Sequence, residues 1–188
     1  MVEKYCDSTV PGQGEEKGPD KELKDLAVKA ASKVEKEMDS FRFNMALEEI
    51  WMIVRRANKY IDETSPWVLA KDKAANQKRL NTVMHNLAES LRIVSCLIYP
   101  FMHTTSGKIR EQLGLKGKDA SWEDAEVFDK MSGEKVEKND PIFPRLDIEK
   151  ELEALEEYLK DDEEKNIPLE LKPKIIYDDP AGDRKSVV

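Results

Sequence analysis

The residues best suited to chemistry lie between Arg55 and Arg79, in RRANKYIDETSPWVLAKDKAANQKR. Seven basic side chains (Arg55, Arg56, Lys59, Lys71, Lys73, Lys78, Arg79) stand there against three acids (Asp62, Glu63, Asp72). The local balance is +4 in a chain of net charge −8. At the centre, Pro66 and Trp67 interrupt two long helical patterns. A large aromatic at a helix junction inside a basic island can stack a base while cations hold phosphates. Ser65 before Pro66 reads as a helix start whose hydroxyl accepts from a free amide, with proline tolerated at the first helical position. Trp67 would then stand in the first turn, at the positive end of the helix dipole, where a phosphate is favoured. A plainer reading fits the same pattern: Trp67 plugs the corner between two helices.

Elsewhere the chain offers little for catalysis. It has no GxxxxGK[ST] and no GxGxxG, so it carries no recognisable nucleotide-binding loop. Its two histidines are isolated. His85 falls in mid-helix beside Met84 and Leu87 and reads as core or helix surface, and His103 falls near a helix start. Neither has cysteine or carboxylate neighbours at metal-ligand spacing. Glu48/Glu49 and Glu156/Glu157 are solvated helix-surface pairs. No catalytic residue, no metal ligand and no cofactor site is expected. Trp51 shares a face with Leu47 and Val54 and reads as core, and Trp122 reads as packing.

The elements that must position Trp67 are helical. With 188 residues, 37% charged and 39% apolar, the chain suits one domain rich in surface Lys and Glu. No apolar run approaches the roughly 20 residues of a membrane span. The start, MVEKYCDSTV, lacks the pattern of a signal peptide. Cys6 and Cys96 then read as free thiols in a reducing compartment, so a cytoplasmic location with no membrane partner is expected. Charge is segregated: residues 55–118 are basic and 119–188 strongly acidic. The low overall pI therefore does not argue against a nucleic-acid partner.

After a Pro/Gly loop at 11–19, Asp20 stands as an N-cap ahead of Leu23, Leu26, Ala27, Ala30, Val34 and Met38. A second helix starts near Asn44, with Ala46, Ile50, Ile53, Val54, Ala57 and Ile61 on one face. A third starts near Ala74 and carries Leu80, Val83, Leu87, Leu91, Val94 and Ile98 before Pro100. A fourth runs from Met102 to Leu113 and closes at Gly114. One apolar stripe each and short connections predict an all-α antiparallel bundle. Ile142 to Leu146 reads as an extended piece laid across it. Ile148, Leu152, Leu155 and Leu159 restart helical spacing in a final helix packed on the bundle. The expected organisation is a bundle over 1–160 (an N-terminal piece and loop at 1–19, main helices at 20–114, extended segment and final helix at 115–160), then an acidic linker at 161–174. DRKSVV at 183–188 is encodable by GAT CGG AAG AGC GTC GTG, which matches a common sequencing-adapter read. Those residues are expected to be an artefact.

ALEEIWMIVRRANKYIDETSPWVLAK (46–71), LAESLRIVSCLIYPFMHTTSGKIREQLGL (87–115) and DPIFPRLDIEKE (140–151) closely resemble the anticodon-binding domain of methionyl-tRNA synthetases. The resemblance covers about Met1 to Lys160. It implies the helix bundle of class I aminoacyl-tRNA synthetases and a fragment that reads the CAU anticodon of initiator and elongator tRNA-Met. The ATP-dependent joining of methionine to tRNA belongs to a separate catalytic domain, which binds ATP and methionine and whose HIGH-like and KMSKS-like signatures this chain lacks. By the same resemblance Trp67 stacks on an anticodon base and Pro66 shapes its corner. An Asn and an Arg that the family also uses would precede Met1. PKIIYDD at 173–179 looks like the opening of an OB-fold tRNA-binding domain, giving a truncated start at 175–182. Arg55, Arg56, Lys59, Lys71, Lys78 and Arg79 are the candidate phosphate contacts. The implied partners are the tRNA-Met anticodon loop and the catalytic domain, with no DNA. The rival from another class is a helical protein–protein interaction module anchored by the same tryptophan.

Overall fold

A computed structural model describes residues 1–117, 121–164, 176–178 and 184–186. The chain divides into two compact units, Met1–Ile142 and Phe143–Val188. In the first, a short α1 (Val2–Cys6) precedes the long α2 (Gly18–Asp39) and α3 (Phe43–Thr64). One turn, α4 (Pro66–Leu69), and a 3-10 turn at Ala70–Asp72 lead into α5 (Lys73–Leu97), followed by α6 (His103–Gln112) and α7 (Trp122–Ala125).

α2 and α3, joined by three residues, pack along each other, and both pack on α5. The expected stripe of α2 is buried at Leu23, Ala27, Ala30 and Val34. On α3 the buried positions are Ala46, Ile50, Ile53 and Tyr60. The largest cluster joins these faces to Ile93, Val94 and Leu97 of α5. The all-α bundle read from the sequence is therefore present.

Several expectations need correction. Asp20 is not the N-cap: α2 opens two residues earlier at Gly18, since Pro19 tolerates the first turn, and Asp20 stands inside it. Trp51 is half-buried and joins none of the buried clusters, because it sits one step off the stripe of Ile50 and Ile53. Leu91 is 47% exposed. α5 instead buries an almost unbroken run from Arg79 to Leu97 that includes His85, Asn86, Glu89, Ser90 and Arg92.

That run is possible because α5 is covered on the side away from α2 and α3 as well. The Pro/Gly loop straps along it: the Gly14 amide donates to Thr82 Oγ1 at 2.9 Å and the Glu15 amide to the Lys78 carbonyl at 3.3 Å. A Cβ at Gly14 would lie 2.3 Å from that carbonyl, so only glycine fits. His85, 1% exposed, has Nδ1 2.9 Å from the Pro11 carbonyl and Nε2 3.0 Å from Asp129 Oδ1. Arg92 donates to Glu89 at 2.8 Å and to the carbonyls of Asp124 and Val127, clamping α7 to α5. Trp122, at the start of α7, packs on the main cluster as expected. Gly114, at φ +75°, closes the segment after α6.

In the second unit the residues after Ile142 are non-helical up to α8 (Ile148–Glu164). Ile148, Leu152 and Leu155 of α8 are exposed. Of the expected linker, 161–164 belong to α8 and 165–174 lie outside the described residues. β1 (Ile176–Asp178) pairs antiparallel with β2 (Arg184–Ser186), Ile176 opposite Ser186. β1 falls in the segment expected to open an OB-fold and β2 in the one expected to be adapter-derived. The remaining residues of both, 175, 179–183 and 187–188, lie outside the described residues.

Candidate nucleic-acid interface

The two readings of the Pro-Trp corner come apart in space. Pro66 is buried, while Trp67 is 46% exposed and its neighbour Val68 52%. Leu69 and Ala70, which follow in the corner, pack into the cluster that holds Leu23, Tyr60, Leu80, Val83 and Met84. The buried member of the pair is thus the proline, and the tryptophan is half-exposed.

Ser65 does not act as expected. It adopts φ 43°, its amide closes α3 on the Ile61 carbonyl, its hydroxyl donates to the Asp62 carbonyl at 3.0 Å, and that hydroxyl accepts from no amide of α4. The Val68 and Leu69 amides turn back to the Ser65 carbonyl. A single turn with its Val68 and Leu69 amides engaged gives little dipole to hold a phosphate. The anion would have to be met by side chains.

Those side chains differ from one another. Arg79 is a correction: it is 6% exposed and donates to Asp20 Oδ2 and to the Glu15 carbonyl, so it is committed to the fold and away from the surface. Arg56 has a side chain 11% exposed, bridges Glu22 and Glu63 at 3.0 Å each, and lies over the Tyr60 ring. Arg55 pairs with Glu48 at 2.8 Å and Lys59 with Glu63 at 3.6 Å. Ten residues before Ser65, Arg55 also stands roughly 15 Å back along the helix axis. Lys71 and Lys78 are exposed and carry no ion pair among the described residues. Lys71 follows Trp67 within the same corner.

Sequence reasoning missed the cluster beneath. Asp20, 2% exposed, accepts from the Tyr60 hydroxyl, from Asn86 Nδ2 at 3.2 Å, from Arg79 and from the Lys17 amide. Burial alone would raise the Asp20 carboxyl, yet the hydrogen bonds from Arg79, Tyr60 and Lys17 hold it below its ordinary value. Burial, reinforced by Asp20, pushes the Tyr60 phenol well up. The available signal was Tyr60 itself: it lies in register with Ile50 and Ile53, so its hydroxyl had to find a buried partner.

His103 is exposed and stacks edge-on with Tyr99, ring centroids 4.7 Å apart. Among the described residues no group of three or more His, Cys, Asp or Glu could hold a metal ion, and no helix is long and apolar enough to cross a membrane.

Fold and corner together define a class, an all-α bundle with an outward aromatic at a lysine-flanked helix junction. Residues 10–162 match the family described as the anticodon binding domain of methionyl tRNA ligase. The chain is 47% identical over 156 residues to the methionine–tRNA ligase of Caldanaerobacter subterraneus subsp. tengcongensis, covering 83% of this chain and 24% of that protein. It is 41% identical over 157 residues to the Bacillus subtilis enzyme, covering 81% and 23%. The apo structure of Mycobacterium tuberculosis methionyl-tRNA synthetase superposes with a TM-score of 0.73 at 33% identity, over 78% of this chain and 30% of that one. This chain belongs to the family of methionyl-tRNA ligase anticodon-binding domains. It spans about a quarter of the length of the curated relatives it matches.

Proposed function

We propose that this chain reads the CAU anticodon of initiator and elongator tRNA-Met by stacking an anticodon base on Trp67. In this reading it serves a cytoplasmic, ATP-dependent enzyme that joins methionine to tRNA. ATP, methionine and the chemistry belong to a catalytic domain outside this chain, which contributes recognition alone. The observation that carries the reading is the exposed Trp67 beside a buried Pro66, in a member of this family. Stacking of a base on an aromatic is worth about 1–3 kcal/mol, enough to anchor one nucleotide. Lys71 and Lys78 supply the flexible cations for neighbouring phosphates.

The test compares an RNA stem-loop bearing CAU with one whose three anticodon bases are changed. The CAU loop should bind more tightly and quench tryptophan fluorescence, and the quench should vanish in Trp67→Ala. Equal affinity for both loops would contradict anticodon reading.

A further inference from the structure

We propose that the buried cluster of Asp20, Tyr60, Arg79 and Asn86 is a positioning device for the Trp67 corner, governing nucleic-acid affinity without touching nucleic acid. The inference rests on the reading of Trp67 as a stacking surface.

The corner, Ser65 to Asp72, hangs between the end of α3 and the start of α5. The cluster ties together the elements that bound it. Asp20 comes from the first turn of α2, Tyr60 from the last turns of α3, and Arg79 and Asn86 from the second and fourth turns of α5. One carboxylate accepts from all of them: Tyr60 and Asn86 on Oδ1, Arg79 on Oδ2. Tyr60 then passes the constraint to the corner in two ways. Its carbonyl accepts from Thr64 Oγ1 at 2.6 Å, one residue before Ser65. Its ring shares a packed cluster with Leu69 and Ala70, on the far side of Trp67.

All four side chains are buried, so none can meet a ligand directly. A connected polar network in a low-dielectric interior has one favourable arrangement, and losing a member loosens the others. Fixing α3 against α5 therefore fixes the angle of the one-turn helix that presents the indole. A surface ordered before binding spends less of its stacking energy on ordering. Arg79, which looked like a phosphate contact in the sequence, is reassigned to this role.

The experiment uses the full chain and the CAU stem-loop, with folding of each variant checked by circular dichroism. Tyr60→Phe removes only the hydroxyl. We expect several-fold weaker binding with the salt dependence unchanged. Trp67→Ala should cost less in the Tyr60→Phe background than in the parent, because a displaced indole has less to lose. Arg79→Gln should likewise weaken binding without changing the slope of log K against log salt, whereas a phosphate contact would lower that slope by about one. If Arg79→Gln does not fold, the Tyr60→Phe cycle decides alone. Additive Tyr60 and Trp67 effects, or unchanged affinity in Tyr60→Phe, would overturn the positioning role while leaving the stacking reading intact. Unchanged affinity in Trp67→Ala would overturn both.

Discussion

Lys78 and Arg79 are adjacent in sequence and opposite in fate, and the contrast repeats across the basic island. On one side stand Lys71 and Lys78, exposed and without ion pairs among the described residues. On the other stand Arg56, enclosed between Glu22 and Glu63, and Arg79, buried against Asp20. Arg55 and Lys59 fall between, exposed but paired. A segment's charge count is therefore a poor guide to the field it projects. Part of that charge neutralises acids of other helices and is spent on holding the bundle together.

The largest expected effect is on stability. Removing one partner of a buried pair leaves an uncompensated charge, so Asp20→Ala should destabilise the bundle by about 3–5 kcal/mol, read from urea denaturation. Arg55→Gln, which breaks an exposed pair, should change stability by less than about 1 kcal/mol. Equal effects from the two would erase the distinction between inner and outer basic residues.

Acid should expose the same difference. The Asp20 carboxyl is held below its unfolded-state value, so the folded state binds its proton less readily than the unfolded state. Its stabilisation is complete above the unfolded value near 4, and is lost as pH falls through the folded one. Asp129 is shifted the same way: burial alone would raise it, but Lys24 and His85 outweigh that. The urea midpoint should drop as pH falls below about 4, and Asp20→Asn should flatten part of that drop. A midpoint rising in that range would contradict the network.

Salt should separate the candidate phosphate contacts. With Lys71 and Lys78 as the engaged cations, log K should fall against log salt with a slope of roughly −1.4, and with all six candidates roughly −4. Lys71→Gln and Lys78→Gln should each flatten the slope, while Lys59→Gln, already paired with Glu63, should alter it least.

Much of this was legible in the sequence, for reasons visible residue by residue. The stripes on α2 and α3 were readable because each helix buries a single face, so three- and four-residue spacing reports it directly. α5 was not, because it is covered on opposite sides and its buried positions include His85, Glu89 and Arg92, which no hydropathy pattern selects. Pro66 and Trp67 were legible as a corner by type and position. Which of the two is buried depends on tertiary packing, such as that of Leu69 and Ala70 against Tyr60 and Leu80, which local sequence does not report. Arg79 was misread because its partner Asp20 lies 59 residues away. Such pairings come from topology, and local sequence carries no trace of them.

One comparison tests most directly whether Trp67 is the stacking surface: the affinity of the full chain and of its Trp67→Ala variant for a CAU stem-loop at low salt. A stack worth about 1–3 kcal/mol predicts a loss of roughly five- to 150-fold with the fold intact. Equal affinity of a folded Trp67→Ala variant would contradict the account.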